Sequence, residues 1–156
     1  MSQTPREPFL PLIRLLAQTY QTFEQFSAHH VRQMGLTPPQ FDVVATLGNT
    51  RGMSCKDLSE KTLITKGTLT GVVDRLCDKG IVQRTTLEHD RRSVFVALTA
   101  RGEALFEEAF PAHLQHMRQA FAAFDPKDYD RCAAELKRLR DAFAMALNEV
   151  SDEACE

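Results

Sequence analysis

The sequence contains no run of 18 apolar residues, so it predicts no helix long enough to cross a membrane. Its first seven residues contain neither a basic head nor an apolar signal core, and we therefore expect a cytoplasmic protein. The four cysteines are far apart and form no Cys-x-x-Cys pair. This spacing predicts free thiols in a reducing compartment rather than a disulfide or zinc framework.

Catalytic signatures are also missing. The sequence has no P-loop, no Gly-x-Gly-x-x-Gly, no His-Glu-x-x-His and no Gly-x-Ser-x-Gly, and nothing in it pairs a nucleophile with a base. We therefore expect a protein that is not an enzyme and that carries no cofactor. Internal repeats and low-complexity tracts are absent as well, and a length of 156 residues favours a single domain, 1–156.

Charge is distributed unevenly along the chain. Residues 1–50 hold three basic and three acidic side chains, residues 51–101 hold ten and six, and residues 102–156 hold six and twelve. The net charge of −2 therefore conceals a central segment of +4 and a C-terminal third of −6. Phosphates respond to local charge, so the central segment is the candidate surface for nucleic acid.

Apolar spacing and capping residues predict a mainly α fold with a small β-hairpin, in the α+β class. The pair Thr37 and Gln40 has the spacing of a capping box, and so has the pair Ser54 and Asp57. Pro111 falls inside a predicted helix and is expected to kink it. Helices are predicted at 9–34, after Thr37, from Ser54 to about Thr62, from about Lys66 to Lys79, from Thr99 to about Phe124, and from Asp125 onward.

The helix predicted at 66–79 has two contrasting faces. One is an apolar stripe at helical spacing, formed by Leu69, Val72, Val73 and Leu76. The opposite face carries small and basic residues, where a solvated helix would show Glu–Lys pairs: Lys66, Gly67, Thr68, Thr70, Gly71, Asp74 and Arg75. Glycine lowers helix stability, so two glycines on an exposed face favour a steric reason, such as close approach to DNA base edges.

Residues 81–86 and 93–98 are rich in β-formers and flank a polar tip that contains Asp90, Arg91 and Arg92. A helix-turn-helix followed by such a hairpin fits duplex DNA, with one helix in the major groove and a guanidinium in the minor groove. A charged turn is the ordinary alternative, and a winged helix that binds only protein is disfavoured by the clustered positive charge. The predicted DNA-contacting residues are Ser54, Lys56, Thr65, Lys66, Gly67, Thr68, Thr70, Arg75, Arg84, Asp90, Arg91 and Arg92.

The last predicted helix carries a heptad seam three repeats long. Its apolar positions alternate in spacings of three and four residues: Tyr129, Cys132, Leu136, Leu139, Phe143, Ala146 and Val150. Such a seam packs either on its own domain or on a second copy of the chain. Two long terminal helices beside a small central module favour a homodimer, with dimerisation helices at 9–36 and 100–156 and a DNA-binding lobe at 37–99.

Several segments together resemble the MarR family of bacterial transcriptional regulators: Leu36–Phe41, Asp57–Ser59, Leu69–Leu76, Lys79–Arg84, Asp90–Arg92 and Leu98–Gly102. The resemblance implies a winged helix-turn-helix homodimer, joined by its terminal helices, that represses by binding a pseudo-palindromic operator in double-stranded DNA. It also implies that Lys66, Gly67 and Thr68 approach the bases, and that Arg92, braced by Asp90, enters the minor groove.

The signal that releases such a regulator is open at this point. The resemblance implies a small aromatic or phenolic effector between the first, second and fifth helices. Plausible lining residues there are Arg14, Gln18, Phe41 and Ala45.

Two other signals remain as alternatives. Cys55, at a helix N-terminus, is either a reactive thiol or a small structural cysteine, and no cysteine occurs earlier in the chain. His113 and His116 lie one turn apart, and His29 and His30 lie on the first helix, so these four residues are candidate metal ligands. Adjacent histidines point apart, however, and histidines at i and i+3 are often only solvated.

Overall fold

A computed structural model describes residues 7–87 and 90–153, and the side chains of 7–85 and 94–151. It contains helices α1 (Leu10–Gln33), α2 (Pro38–Leu47), α3 (Cys55–Lys61), α4 (Lys66–Asp78), α5 (Ala100–Arg118) and α6 (Pro126–Glu153), with strands β1 (Met53–Ser54), β2 (Val82–Leu87) and β3 (Asp90–Leu98). The predicted helical fold with a β-hairpin, a winged helix-turn-helix, is confirmed. The chain divides into two compact units, one ending at Met117 and one beginning at Arg118.

Two helices begin at the predicted caps. At the start of α2, the Thr37 hydroxyl accepts a hydrogen bond from the Gln40 amide at 3.4 Å, and the Gln40 side chain accepts one from the Thr37 amide at 3.1 Å. At the start of α3, the Ser54 hydroxyl accepts from the Asp57 amide at 3.0 Å and donates to the Asp57 carboxylate at 2.7 Å. These bonds satisfy amides that a helix start leaves without partners, so both helices begin where the sequence predicts.

The sheet has three strands rather than the two of the predicted hairpin. The antiparallel order is β1-β3-β2, and Met53 of β1 pairs with Val96 of β3. A two-residue strand is too short to show the alternation by which strands are detected, which is why the sequence did not reveal β1. Since β1 leads directly into α3, this pairing anchors the start of the helix-turn-helix to the sheet.

One continuous core fills the first unit. It combines residues from α1 to α4, from the sheet and from α5, with Leu47, Leu58 and Leu76 among the fully buried side chains. At Gly48, an added Cβ would overlap the ring of Phe106, so glycine lets α5 approach the end of α2 closely.

The fifth helix ends at Arg118 and continues as a 3₁₀ turn at Gln119–Phe121, earlier than the predicted end near Phe124. Pro111 lies inside α5 as expected, and its effect on the helix axis stays a prediction.

In the second unit, almost every described side chain of α6 is exposed, with Asp128 and Leu139 only partly so. The rings of Phe121, Phe124 and Tyr129 form a small cluster at the start of this unit. No described helix in either unit is long and apolar enough to cross a membrane.

Candidate nucleic-acid interface

Helices α3 and α4 form a helix-turn-helix, and α4 is its second helix, the recognition helix. The four residues between them, 62–65, make the turn, and Thr65 is the residue before α4, with its hydroxyl 3.1 Å from that of Thr68. The predicted stripe of α4 is buried as expected, with Leu76 completely inaccessible. The opposite face of α4 is consequently turned outward.

The outward face is built from the predicted small and basic side chains. Those exposed along it are Lys66, Gly67, Thr68, Thr70, Asp74 and Arg75. An added Cβ on Gly67 would meet no atom within 4 Å, and one on Gly71 would lie 3.7 Å from the Arg75 guanidinium, an ordinary contact. Neither glycine has a positive φ. The described chain therefore gives no steric or conformational reason for glycine at either position.

Basic residues from three elements converge beside α4. Lys56 of α3, Lys66 and Thr70 of α4, and Arg84 of β2 line one open cavity of about 330 Å³, with Cys55 in its wall. Arg84 donates to the Asp74 carboxylate at 2.7 Å, and this hydrogen bond raises the pKa of the guanidinium. Four of the predicted DNA contacts thus lie together on one surface.

The structure also shows where the other predicted DNA-contacting residues of the DNA-binding lobe lie. Ser54 is half-buried as the cap of α3, while Thr65 and Arg75 are exposed. The wing, defined as the β2–β3 hairpin, differs from the prediction in its backbone. Strand β3 begins at Asp90, which pairs with Leu87, so the segment with Arg91 and Arg92 belongs to a strand rather than to the turn.

The pairing within the wing is irregular. Thr86 pairs with Val94, and the next pair is Leu87 with Asp90, so three residues of β3, Arg91–Ser93, stand between two successive pairs. Extra residues of this kind bulge a strand and redirect its side chains, which a pattern of alternation does not reveal. The side chains of Asp90, Arg91 and Arg92 lie outside the described residues.

Helix α2 is attached to the helix-turn-helix near both ends of α4, which the sequence did not predict. The Asp42 carboxylate accepts from the Leu63 amide in the turn at 3.1 Å, and burial raises the pKa of Asp42. At the other end, the Lys79 ammonium donates to the Gly35 carbonyl at 2.9 Å and to the Gln40 amide oxygen at 3.2 Å. Asp42 is the only charged residue in α2, but an isolated charge does not by itself indicate its partner.

Three of the four histidines predicted as candidate metal ligands lie close together, and the fourth does not. His30 of α1 and His113 of α5 approach to 3.3 Å between their Nδ1 atoms, and His116 stacks on His30 with ring centroids 4.7 Å apart. His29 is exposed and contacts Gln33 instead. In the part of the chain that the structure describes, no group of three or more His, Cys, Asp or Glu residues is placed to hold a metal ion.

The predicted effector residues lie in two places. Phe41 and Ala45 are half-buried on α2, and the Phe41 ring lies 4.6 Å from that of His113. Arg14 and Gln18 are exposed in the N-terminal half of α1. Arg14 precedes His30, an α1 residue that contacts His113, by 16 residues, roughly 24 Å at the helical rise. Within one chain, therefore, Arg14 and Gln18 lie more than three turns along α1 from His30.

The cysteines agree with the prediction of free thiols where they are described. Cys55 and Cys77 are half-buried and Cys132 is exposed, all three free, while Cys155 lies outside the described residues.

The chain is similar to known proteins in both sequence and fold. The sequence profile of the MarR family matches residues 36–94. The transcriptional regulator MhqR of Bacillus subtilis (strain 168) is 27% identical over 133 residues, which cover 85% of this chain and 92% of MhqR. The transcriptional regulator HosA of Escherichia coli O157:H7 is 34% identical over 95 residues, which cover 60% of this chain and 70% of HosA.

Among solved structures, BpsR of Bordetella bronchiseptica superimposes with a TM-score of 0.77 and is 28% identical. The match covers 88% of this chain and 99% of BpsR, whose DNA binding is regulated by 6-hydroxynicotinic acid. The curated relatives named here are transcriptional regulators rather than enzymes.

Proposed function

The chain belongs to the MarR family of DNA-binding transcriptional regulators, and from this premise we propose that it is a homodimeric repressor that a small aromatic acid releases from a pseudo-palindromic operator. In this proposal α4 enters the major groove and the wing reaches the minor groove with Arg92. The protein acts on DNA in the cytoplasm.

The observation that carries the proposal is the free space beside Gly67 and Gly71. Glycine lowers the stability of a helix by about 1 kcal/mol relative to alanine. Nothing in the described chain compensates for that cost, because a methyl group fits at both positions. An external surface that must come closer than a methyl group allows accounts for both glycines, and a base-pair edge in the major groove is such a surface.

The charges around these glycines support the same partner. Lys56, Lys66 and Arg84 come from three different elements and meet at one cavity beside α4. Cations gathered on one face contact the phosphates that flank a groove, while the threonines beside the glycines offer hydroxyl and methyl groups to bases.

Exposed apolar side chains on both terminal helices support dimerisation. Helix α1 exposes Leu12, Ile13 and Phe23, and α6 exposes Leu136 and Phe143. Exposed apolar residues mark an interface when they form a patch rather than occurring singly. A second copy of the chain would cover both and would present two recognition helices to successive major grooves.

The surroundings of Phe41 support an aromatic effector. The His113 ring lies beside the Phe41 ring, and His30 approaches His113 to 3.3 Å between their Nδ1 atoms. Polar nitrogens next to an aromatic side chain suit an aromatic ligand that bears a carboxylate. In BpsR, a relative, DNA binding responds to 6-hydroxynicotinic acid, which belongs to that class. Arg14 and Gln18 would join such a pocket if α1 of a second copy lies alongside.

A direct test is to select fragments of the source genome that the purified protein binds and to measure their affinity at several salt concentrations. We expect tight binding with a steep salt dependence, because each phosphate contact contributes roughly 0.9 to the logarithmic slope. The double variant Lys56→Ala/Lys66→Ala should reduce that slope by about 2, whereas the matched pair Lys127→Ala/Lys137→Ala on α6 should leave it unchanged. A wild-type protein that enriches no fragment would refute the proposal.

A further inference from the structure

The outward face of α4 contains an acidic residue at a position where DNA binding favours positive charge. Asp74 is exposed, and it follows Gly67 by seven residues, two helical turns along the same face. A carboxylate at that place repels the phosphates of an approaching duplex. Its presence on a surface that also carries Lys66 and Arg75 therefore requires an explanation.

The stability of the folded chain does not explain why Asp74 is present. Asp74 is paired with Arg84, but the two side chains are 53% and 36% exposed. Ion pairs with this much solvent access contribute little to folding, because water and salt screen them. The pair joins α4 to β2, and its contribution to the fold is expected to be small.

The pair does determine where the Arg84 guanidinium lies. Arginine has a long side chain with many rotamers, and an unpaired guanidinium on β2 would sample them all. The 2.7 Å hydrogen bond to Asp74 holds it beside α4, at the cavity that Lys56 and Lys66 also line. A single carboxylate uses at most two of the five guanidinium donors, so a held arginine still has donors for a phosphate.

We propose that Asp74 is a positioning residue for DNA recognition, which holds the guanidinium of Arg84 on the DNA-facing side of α4. This inference rests on the proposed function, since it takes the outward face of α4 as the DNA surface. Binding then begins with a side chain whose conformational entropy has already been lost, which favours affinity. The gain from this preorganisation exceeds the repulsion between the carboxylate and DNA.

The direction in which Asp74→Ala changes DNA affinity distinguishes a positioning role from a purely electrostatic one. Asp74→Ala makes the surface more positive, so charge alone predicts tighter DNA binding. The positioning role predicts weaker binding, by on the order of tenfold, the size of coupling found between contacting residues. Asp78, exposed at the last position of α4, is the matched control. Asp78→Ala removes the same charge and should leave affinity unchanged or raise it.

The experiment is a double-mutant cycle on one selected operator fragment, with affinity measured at two salt concentrations for Asp74→Ala, Arg84→Ala and the double variant. In the Arg84→Ala background, Asp74→Ala should no longer weaken binding, because no guanidinium remains to be positioned. Asp74→Asn keeps an acceptor oxygen and should restore part of the affinity. Thermal unfolding midpoints should stay within a few degrees of wild type, since the pair is exposed.

Two outcomes would overturn the inference: an affinity of Asp74→Ala that is unchanged or higher, as expected for Asp78→Ala, or the same loss with and without Arg84. An equal loss in both backgrounds would instead indicate that Asp74 itself contacts a base, as a carboxylate does at the cytosine amino group. Failure of the wild-type protein to bind any fragment would refute the proposed function as well. The two failures are therefore distinguishable.

Discussion

The Nδ1 atoms of His30 and His113 lie 3.3 Å apart, although the residues are separated by 83 positions in the chain. In a neutral pair, one Nδ1 donates its proton and the other accepts it. Protonating both rings would place two donors face to face. The contact between α1 and α5 is thus matched to the neutral form of at least one imidazole.

The first prediction concerns pH. Burial, and then the neighbouring imidazoles, lower the pKa of His113 and of His30 below the ordinary 6.5. Below about pH 6.5 the unfolded chain takes up protons before the folded chain does, so the free energy of unfolding should fall with falling pH until the folded pKa is passed. Denaturant unfolding at a series of pH values measures this.

His113→Phe should flatten that pH dependence, because the imidazole whose pKa burial lowers is removed. Comparing variant and wild type at each pH also isolates His113 from Asp42, whose raised pKa contributes with the opposite sign. An unchanged slope in His113→Phe would contradict the prediction.

The second prediction concerns the two glycines of α4. Gly67→Ala and Gly71→Ala should each raise the free energy of unfolding by up to about 1 kcal/mol, since a methyl group fits at both positions. Each should also weaken operator binding by on the order of tenfold, because the methyl group holds the helix away from the base edges. Chemical denaturation and a mobility-shift titration measure the two effects. A stabilised variant with undiminished affinity would argue against contact by this face.

The third prediction concerns the heptad seam. Leu136 and Phe143 are 58% and 51% exposed in the single chain, so Leu136→Glu/Phe143→Glu should fold but fail to dimerise. Operator affinity should then fall steeply, because half-sites one turn apart, roughly 34 Å, require both subunits. Ala134→Glu/Met145→Glu places the same charges on the opposite face of α6 and should remain dimeric. Sedimentation gives the masses, and a dimeric seam variant would refute the assignment.

The fourth prediction concerns the wing. Arg92→Ala should weaken specific operator binding by about 1–3 kcal/mol, the scale of one good groove contact. Arg138→Ala, which removes the same charge from an ion pair on α6, serves as the control. Equal affinities of Arg92→Ala and wild type in a mobility shift would exclude the minor-groove role of this residue.

Local chemistry explains why much of the fold was predictable. The Thr37–Gln40 cap and the stripe from Leu69 to Leu76 depend on residues within one or two turns of each other, and both are present as expected. The recognition face followed from the same periodicity, because residues opposite a buried stripe must be exposed.

The features that escaped prediction depend on contacts between distant segments. The bond from Leu63 to Asp42 spans 21 residues, and no local pattern marks an acidic side chain as the partner of a distant turn. The cluster of His30 with His113 depends on how α1 and α5 pack, whereas the sequence shows only two separate histidine pairs. The irregular start of β3 likewise depends on its register with β2.

The attachment of α2 at both ends of α4 has a mechanical consequence. Asp42 accepts from the turn before the recognition helix, and Lys79, which directly follows that helix, donates to Gly35 and Gln40. We therefore expect α2 and α4 to move together. A molecule that displaced Phe41 would then be expected to move the recognition helix without unwinding it. Regulation would then alter the spacing between two intact recognition helices, and backbone amide exchange in α4 would stay as slow in the effector-bound protein as in the effector-free one.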